Sequence, residues 1–150
     1  MINNYIKMIC GMLSIPMPQV FYNDGALQPE QHARLTPDGK QLYLRRLKAA
    51  SLDQLFAAAA ELRREWQRRT DSALYFGSYK TREELPLREF SLQPSEVDAN
   101  AFGAVIASAF FGVEPLFDEY PGVTRSRIES RIAEIRREEF PQLSGMKLPH

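Results

Sequence analysis

Apolar residues recur at helical spacing in several stretches of the chain. Residues 2–13 place their apolar side chains on one side of a short amphipathic helix. Ser51 to Arg69 repeats apolar residues every three or four positions, and Ser51 with Gln54 matches the capping box that starts many helices. The pattern therefore predicts a short N-terminal helix and a long second helix.

Two further long helices follow. Between Ala99 and Phe111 only Asn100 and Ser108 are polar, so the predicted helix from Ser95 to Phe111 belongs in the core. Thr124 is predicted to cap a third long helix that extends to about Phe140. Its apolar stripe consists of Ile128, Ile132 and Ile135. We expect this stripe to face the protein's own core, with a homodimer seam as the alternative.

Short alternating segments predict a small sheet. Gln19 to Tyr22 is predicted to be extended, and Leu42 to Leu44 is either a strand or a short helix. Ala73 to Tyr79 and Leu87 to Leu92 alternate as strands do. With the helices, this predicts an α+β fold containing a small, mostly antiparallel sheet. Because every predicted strand is short, a nearly all-α fold is the alternative.

Length and composition are those of one globular domain. The chain has 150 residues, of which 44% are hydrophobic and 25% charged, so we expect a single domain over residues 1–150. The segment 141–150, which contains two prolines and a glycine, is predicted to be an irregular tail.

Nothing in the sequence predicts a membrane segment or a disulfide. The longest apolar stretch, Ala101 to Val113, is shorter than the roughly 20 residues that span a bilayer. The first thirteen residues lack the long apolar stretch and cleavage site of a signal peptide. A single cysteine, Cys10, excludes an intramolecular disulfide and a cysteine-rich zinc site. We therefore expect a cytoplasmic protein that does not bind membranes.

The net charge of zero conceals a segregation of charge along the chain. Between Glu83 and Glu119 there are eight acidic residues and one basic residue, a net charge of −7. Between Arg34 and Arg69 there are nine basic and four acidic residues, a net charge of +5. Such asymmetry bears on partners rather than on the fold.

The residue patterns favour no catalytic, cofactor or metal site. A catalytic cysteine needs a nearby histidine, and His32 is the only histidine apart from the terminal His150. Cys10 lies on a predicted apolar helix, where a cysteine normally behaves as a small hydrophobic residue. The two histidines lack metal-ligand spacing, and the eight glycines form no phosphate-binding motif. We therefore expect a protein that is not an enzyme and holds neither a cofactor nor a metal.

Nucleic-acid binding is a second alternative function. Its candidate residues are basic and lie on or just before the second helix: Arg45, Arg46, Arg63, Arg64, Arg68 and Arg69. A pI of about 6.7 does not provide the overall basic footprint of a nucleic-acid-binding protein. Cations near a helix end also suit the helix dipole without any ligand.

The acidic region contains aromatic residues that suit a protein interface. Aromatic side chains supply much of the binding energy at interfaces, and surrounding charges steer the encounter. The candidate partner-binding residues are Glu83, Glu84, Glu114, Phe117, Asp118, Glu119 and Tyr120. Alternatively, Phe117 and Tyr120 merely pin the loop to the core.

These observations favour a non-catalytic protein-binding protein whose partner has a basic surface. The most concrete form of this hypothesis is a small bacterial immunity or inhibitor protein, which neutralises a toxin or an enzyme with its acidic surface. The first alternative is a small enzyme or ligand-binding protein without a recognisable motif. A deep pocket with convergent polar groups favours that alternative over an interface.

Overall fold

The fold is α+β, as the sequence predicts. The computed structural model describes residues 2–144. Within this range the chain divides inside its longest helix into an N-terminal unit, which ends at Trp66, and a C-terminal unit, which begins at Gln67. The prediction of one domain over residues 1–150 stays a prediction.

The elements are α1 (Ile2–Leu13), β1 (Gln19–Tyr22), β2 (Ala33–Leu35), β3 (Gln41–Leu44), α2 (Leu52–Phe76), α3 (Leu87–Ser91), α4 (Pro94–Phe111), α5 (Gly122–Glu138) and α6 (Pro141–Ser144), with a short 3₁₀ turn at Asp24–Ala26.

The N-terminal unit contains a three-stranded sheet in the order β1-β3-β2. The central strand β3 runs parallel to β1 and antiparallel to β2, so the sheet is mixed rather than mostly antiparallel. Leu42 and Leu44 of β3 are fully buried. The hydroxyl of Tyr5 in α1 donates a hydrogen bond of 2.8 Å to the carbonyl of Leu55 in α2. This bond and the buried leucines tie helix and sheet residues into the unit's core.

Two of the four predicted strands are wrong. Residues 73–76 form the end of α2, and Leu87–Ser91 is the short helix α3. Alternation over five to seven residues does not distinguish a strand from a helix of one or two turns. Just before the first of these two segments, Asp71 interrupts α2 with a φ of −159° and a ψ of 77°. Its carboxylate then accepts a hydrogen bond from the backbone N–H of Leu74, which restarts the helix.

The predicted end of this helix at Arg69 agrees with the interruption of α2 at Asp71, beyond which a second helical stretch continues to Phe76. The start agrees in part with the predicted capping box. The Ser51 hydroxyl accepts from the N–H of Gln54, but the Gln54 side chain donates to the carbonyl of Arg45. Arg63 does not serve the helix end, since it is fully buried with its guanidinium 3.5 Å above the ring of Trp66.

The C-terminal unit is built on α4, and the prediction that this helix is buried is confirmed. Phe102 and Ile106 are fully buried. Gly112 ends the helix in the left-handed conformation, and its N–H bonds to carbonyls of the last turn, as expected for a glycine cap. Leu87–Ser91 and α5 belong to the same unit as α4.

Helix α5 begins two residues before the predicted cap. Thr124 lies inside the helix, is fully buried, and its hydroxyl lies 2.9 Å from the hydroxyl of Ser91. Ile128 and Ile135 are fully buried, as predicted, whereas Ile132 is half-buried. The alternative of a homodimer seam stays a prediction.

The predicted irregular tail is wrong for its first four residues, which form α6. The rest of the predicted tail, 145–150, lies outside the described residues. Over the described chain, no helix combines the length and the apolar character needed to cross a bilayer.

We predict that Ile106→Ala lowers the free energy of unfolding by about 2–5 kcal/mol, because it removes buried apolar atoms and leaves a cavity. Urea denaturation of the full chain measures the loss. Leu52→Ala is the control, since Leu52 is 50% exposed, and we expect it to cost less than about 0.5 kcal/mol. Equal losses in the two variants would contradict the central position of α4.

Candidate protein-binding site

A buried polar cluster fixes α5 against α4. The carboxylate of Asp98 in α4, a residue only 2% exposed, accepts hydrogen bonds of 2.8 Å from the Gln67 amide and from Nε of Arg131. The hydroxyl of Ser95 donates to the Gln67 side-chain oxygen at 2.6 Å. A buried carboxylate is tolerated only when it is paired and hydrogen-bonded in this way. The position of α5 therefore depends on the Asp98–Arg131 pair.

Two further acidic side chains accept hydrogen bonds from Arg131. Its Nη1 donates to Glu134 at 3.0 Å and its Nη2 to Glu139 at 3.2 Å. Burial opposes the charged form of Arg131, but the Asp98 carboxylate offsets this effect and the pKa of Arg131 is raised above its ordinary value. The guanidinium thus keeps its charge, and its hydrogen bond to Asp98 joins α5 to α4.

An open groove is lined by α4, α5 and the segment between them. We call it the α4–α5 groove, and its volume is about 290 Å³. Ala104 and Ser108 of α4 line it together with Ile132 of α5. The small α4 side chains leave space for an apolar group above Ile132. The remaining lining residues are Glu114, Pro115, Leu116, Phe117, Arg125, Glu129 and Arg136.

The segment 112–121, which we call the groove loop, forms one wall. Phe117 is buried with a φ of 55°, a conformation that a bulky L-residue rarely adopts. Its carbonyl accepts from the N–H of Tyr120, and the two rings stack with centroids 6.2 Å apart. Such strain persists only where the surroundings hold the backbone in place, and it is concentrated at functional sites. Phe117 thus acts as an anchor that sets the shape of the loop.

The structure brings five of the seven predicted binding residues together on the groove loop. Glu114, Asp118 and Glu119 are exposed, Tyr120 is half-buried and Phe117 is buried. The burial of Phe117 therefore agrees with the alternative that this side chain pins the loop to the core.

Glu83 and Glu84 lie on a different segment, between α2 and α3, and both are exposed. Glu84 accepts a hydrogen bond from the hydroxyl of Thr81, so it is held within its own turn. Whether these two acids contribute to binding stays a prediction.

The acidic stretch of the sequence does not form a uniformly acidic surface. Glu96 and Asp98 are buried, and Glu96 accepts from the hydroxyl of Tyr79 at 3.3 Å. Asp118 pairs with Arg125 at 3.8 Å. The net charge of −7 along the sequence therefore overstates the negative charge that a partner meets.

Sequence reasoning missed the most exposed apolar residue of the site. Leu116, which is 71% exposed, lies between Pro115 and Phe117 on the groove loop. Phe111 and Val123, at the ends of the adjoining helices, are also exposed. The available signal was an apolar run between two acids in a segment that a proline keeps from being helical.

The candidate nucleophile of the sequence, Cys10, does not belong to the groove, and no metal site is found among the described residues. Cys10 belongs to α1 in the N-terminal unit and is buried, and burial raises the pKa of its thiol to about 11. Such a thiol is a poor nucleophile near neutral pH. Over residues 2–144, no group of three or more His, Cys, Asp or Glu side chains is arranged to hold a metal ion.

The basic residues proposed for nucleic-acid binding are partly occupied by the fold. Arg45 donates to the carbonyls of Gln28 and Gln31, and Arg63 is buried. Fewer cations of this set are thus free to contact phosphates.

Comparison with known protein families, with curated proteins and with solved structures gave no match. The proposals that follow therefore depend on the site itself.

We predict strong coupling between Asp98 and Arg131. Asp98→Asn and Arg131→Met should each cost about 3–5 kcal/mol in urea denaturation, because each leaves a buried polar partner uncompensated. The double variant should cost less than the sum of the two. Arg137→Met is the control, since its pair with Glu138 is exposed on both sides and should be worth about 1 kcal/mol or less. Additive losses at Asp98 and Arg131 would contradict the assigned role.

We also predict that Cys10 reacts slowly in the folded protein. Because its pKa is raised to about 11, the thiolate fraction at pH 8 is about one in a thousand, against roughly a quarter at an unfolded pKa near 8.5. Labelling with a chromogenic disulfide reagent at pH 8 should thus be at least about 100-fold slower in buffer than in urea. The native rate should rise with pH until about pH 11. Rapid, pH-independent labelling of the native protein would contradict this environment.

Proposed function

We propose that this chain is a non-catalytic protein-binding protein that contacts its partner through the groove loop and the α4–α5 groove. The observation that carries the proposal is the exposure of Leu116 on a loop whose backbone is held by the buried Phe117. A preorganised apolar contact loses little conformational entropy on binding, which favours affinity.

Charges around Leu116 support the same role. Glu114, Asp118 and Glu119 are exposed on this loop, and acids at such positions steer a partner with a basic surface. An exposed apolar centre with a charged rim is the usual anatomy of a transient protein interface. Tyr120, half-buried against Phe117, supports the loop more than it contacts the partner.

The most concrete form of this function is a small bacterial immunity or inhibitor protein that covers a toxin or an enzyme. Rigid loops and acidic rims suit rapid binding to a basic catalytic surface. The cytoplasmic location that we expect from the sequence remains a prediction.

A specific cavity favours small-ligand binding as a second candidate function. It measures about 230 Å³ and is lined by Leu74, Tyr75, Asp98, Arg127 and Arg131, among others. Convergent polar groups in a cavity are the feature that favours ligand binding over an interface. Asp98 and Arg131 already bind each other, however, which leaves fewer polar groups for a ligand.

A crosslinking experiment tests the proposed interface. A photoreactive phenylalanine replaces Leu116 in the full chain, expressed in the cells that produce it, and Leu52, 50% exposed on the N-terminal unit, is the matched control position. We expect one crosslinked protein at position 116 and none at position 52. Crosslinking at neither position would contradict the proposal and favour the small-ligand alternative.

With the captured partner purified, Leu116→Asp should raise the dissociation rate at least about tenfold, which corresponds to about 1.4 kcal/mol. Glu119→Lys should instead lower the association rate, and more so at low salt. Surface plasmon resonance separates the two effects. Unchanged kinetics in both variants would place the interface elsewhere. If the partner is a toxin or an enzyme, adding the chain should inhibit its activity.

A further inference from the structure

We infer that the α4–α5 groove binds a partner segment in which an apolar residue lies beside an aspartate or glutamate, with the carboxylate on Arg125. This inference rests on the proposed function and names what the groove recognises: the partner's basic surface meets the exposed acids of the groove loop, and the acidic residue of this one segment meets Arg125. Three features support it: the arrangement of α5 side chains along the groove, the unsatisfied guanidinium of Arg125, and the uncapped start of α5.

The α5 side chains form a stripe along the groove. Arg125, Glu129, Ile132 and Arg136 follow each other at intervals of four, three and four residues, which places them on one side of the helix. The stripe is about 16 Å long at 1.5 Å per residue. Ile132 therefore supplies an apolar centre, and an arginine marks each end.

Arg125 has hydrogen-bonding capacity that the described chain does not use. Its Nε is buried and has no acceptor among the described residues. Its Nη1 lies 3.8 Å from the Asp118 carboxylate, which is too long for a hydrogen bond. This pair is exposed, with side-chain exposures of 44% and 75%. A carboxylate from a partner can take two guanidinium N–H groups at once and displace so weak a pair.

The start of α5 favours an anion at the same end of the groove. Arg125 follows directly on the first turn, which contains no acidic residue and has no side-chain cap. The N-terminus of a 17-residue helix carries a partial positive charge and unpaired N–H groups. Arg136, the other arginine of the stripe, lies in the last turn of α5, where the helix dipole disfavours an anion. The acid of the partner therefore belongs at Arg125 and its apolar residue at Ile132.

A phage-displayed library of random 12-residue peptides, selected on the intact chain, tests this inference without knowledge of the natural partner. We expect the selected peptides to share an acidic residue next to a large apolar one. Arg125→Ala should weaken a synthetic selected peptide at least about tenfold, the usual scale for a charge-assisted contact. Ser108→Phe, which fills the groove, should weaken it similarly. Arg137→Ala is the matched control, because Arg137 is an exposed α5 arginine that does not line the groove, and it should change binding less than about twofold.

Circular dichroism and urea denaturation of each variant establish that the fold is kept. Selection of basic peptides, binding that is unchanged by Arg125→Ala, or failure to select any peptide would overturn the inference. The proposed function survives these outcomes if the photoreactive group at position 116 still captures a partner. If that crosslink is absent as well, the proposed function fails independently of the peptide result.

Discussion

A carboxylate buried in α4 dictates much of the C-terminal unit. Asp98 receives hydrogen bonds from Gln67 and Arg131, and Arg131 in turn holds Glu134 and Glu139. Because a charge buried at 2% exposure is costly without these partners, the cluster favours the register of α5 on α4 that joins Asp98 to Arg131. That register leaves Ile132 and two arginines beside the small residues of α4, which opens the groove.

The groove loop is the second consequence of this arrangement. Gly112 ends α4 in a left-handed backbone conformation, and the backbone of Phe117, five residues later, is left-handed as well. The buried ring of Phe117 holds the turn, so the neighbouring Leu116 is directed outward. A partner that covers this apolar side chain removes its surface from water, which favours binding. The physical constraints of the core thus produce the features that we assign to binding.

Long periodic segments were predictable from the sequence, and short ones were not. The apolar run of α4 and its glycine cap agree with the structure, because a core helix and a left-handed cap each leave a local signature. Residues 73–79 and 87–92 were misread as strands, since alternation over so few residues also fits a helix.

The candidate site was predictable only in part. Its acids and aromatic residues in 114–120 stand out in the sequence, but burial separates the anchor Phe117 from the exposed Leu116. The roles of Arg125 and Asp98 depend on partners 7 and 33 residues away, which periodicity does not reveal. Hydrogen–deuterium exchange of the full chain, with and without its captured partner, tests the central claim most directly. The account predicts that added protection is confined to the groove loop, the end of α4 and the groove side of α5. Protection concentrated in β1 or in the arginine-rich part of α2 would contradict it.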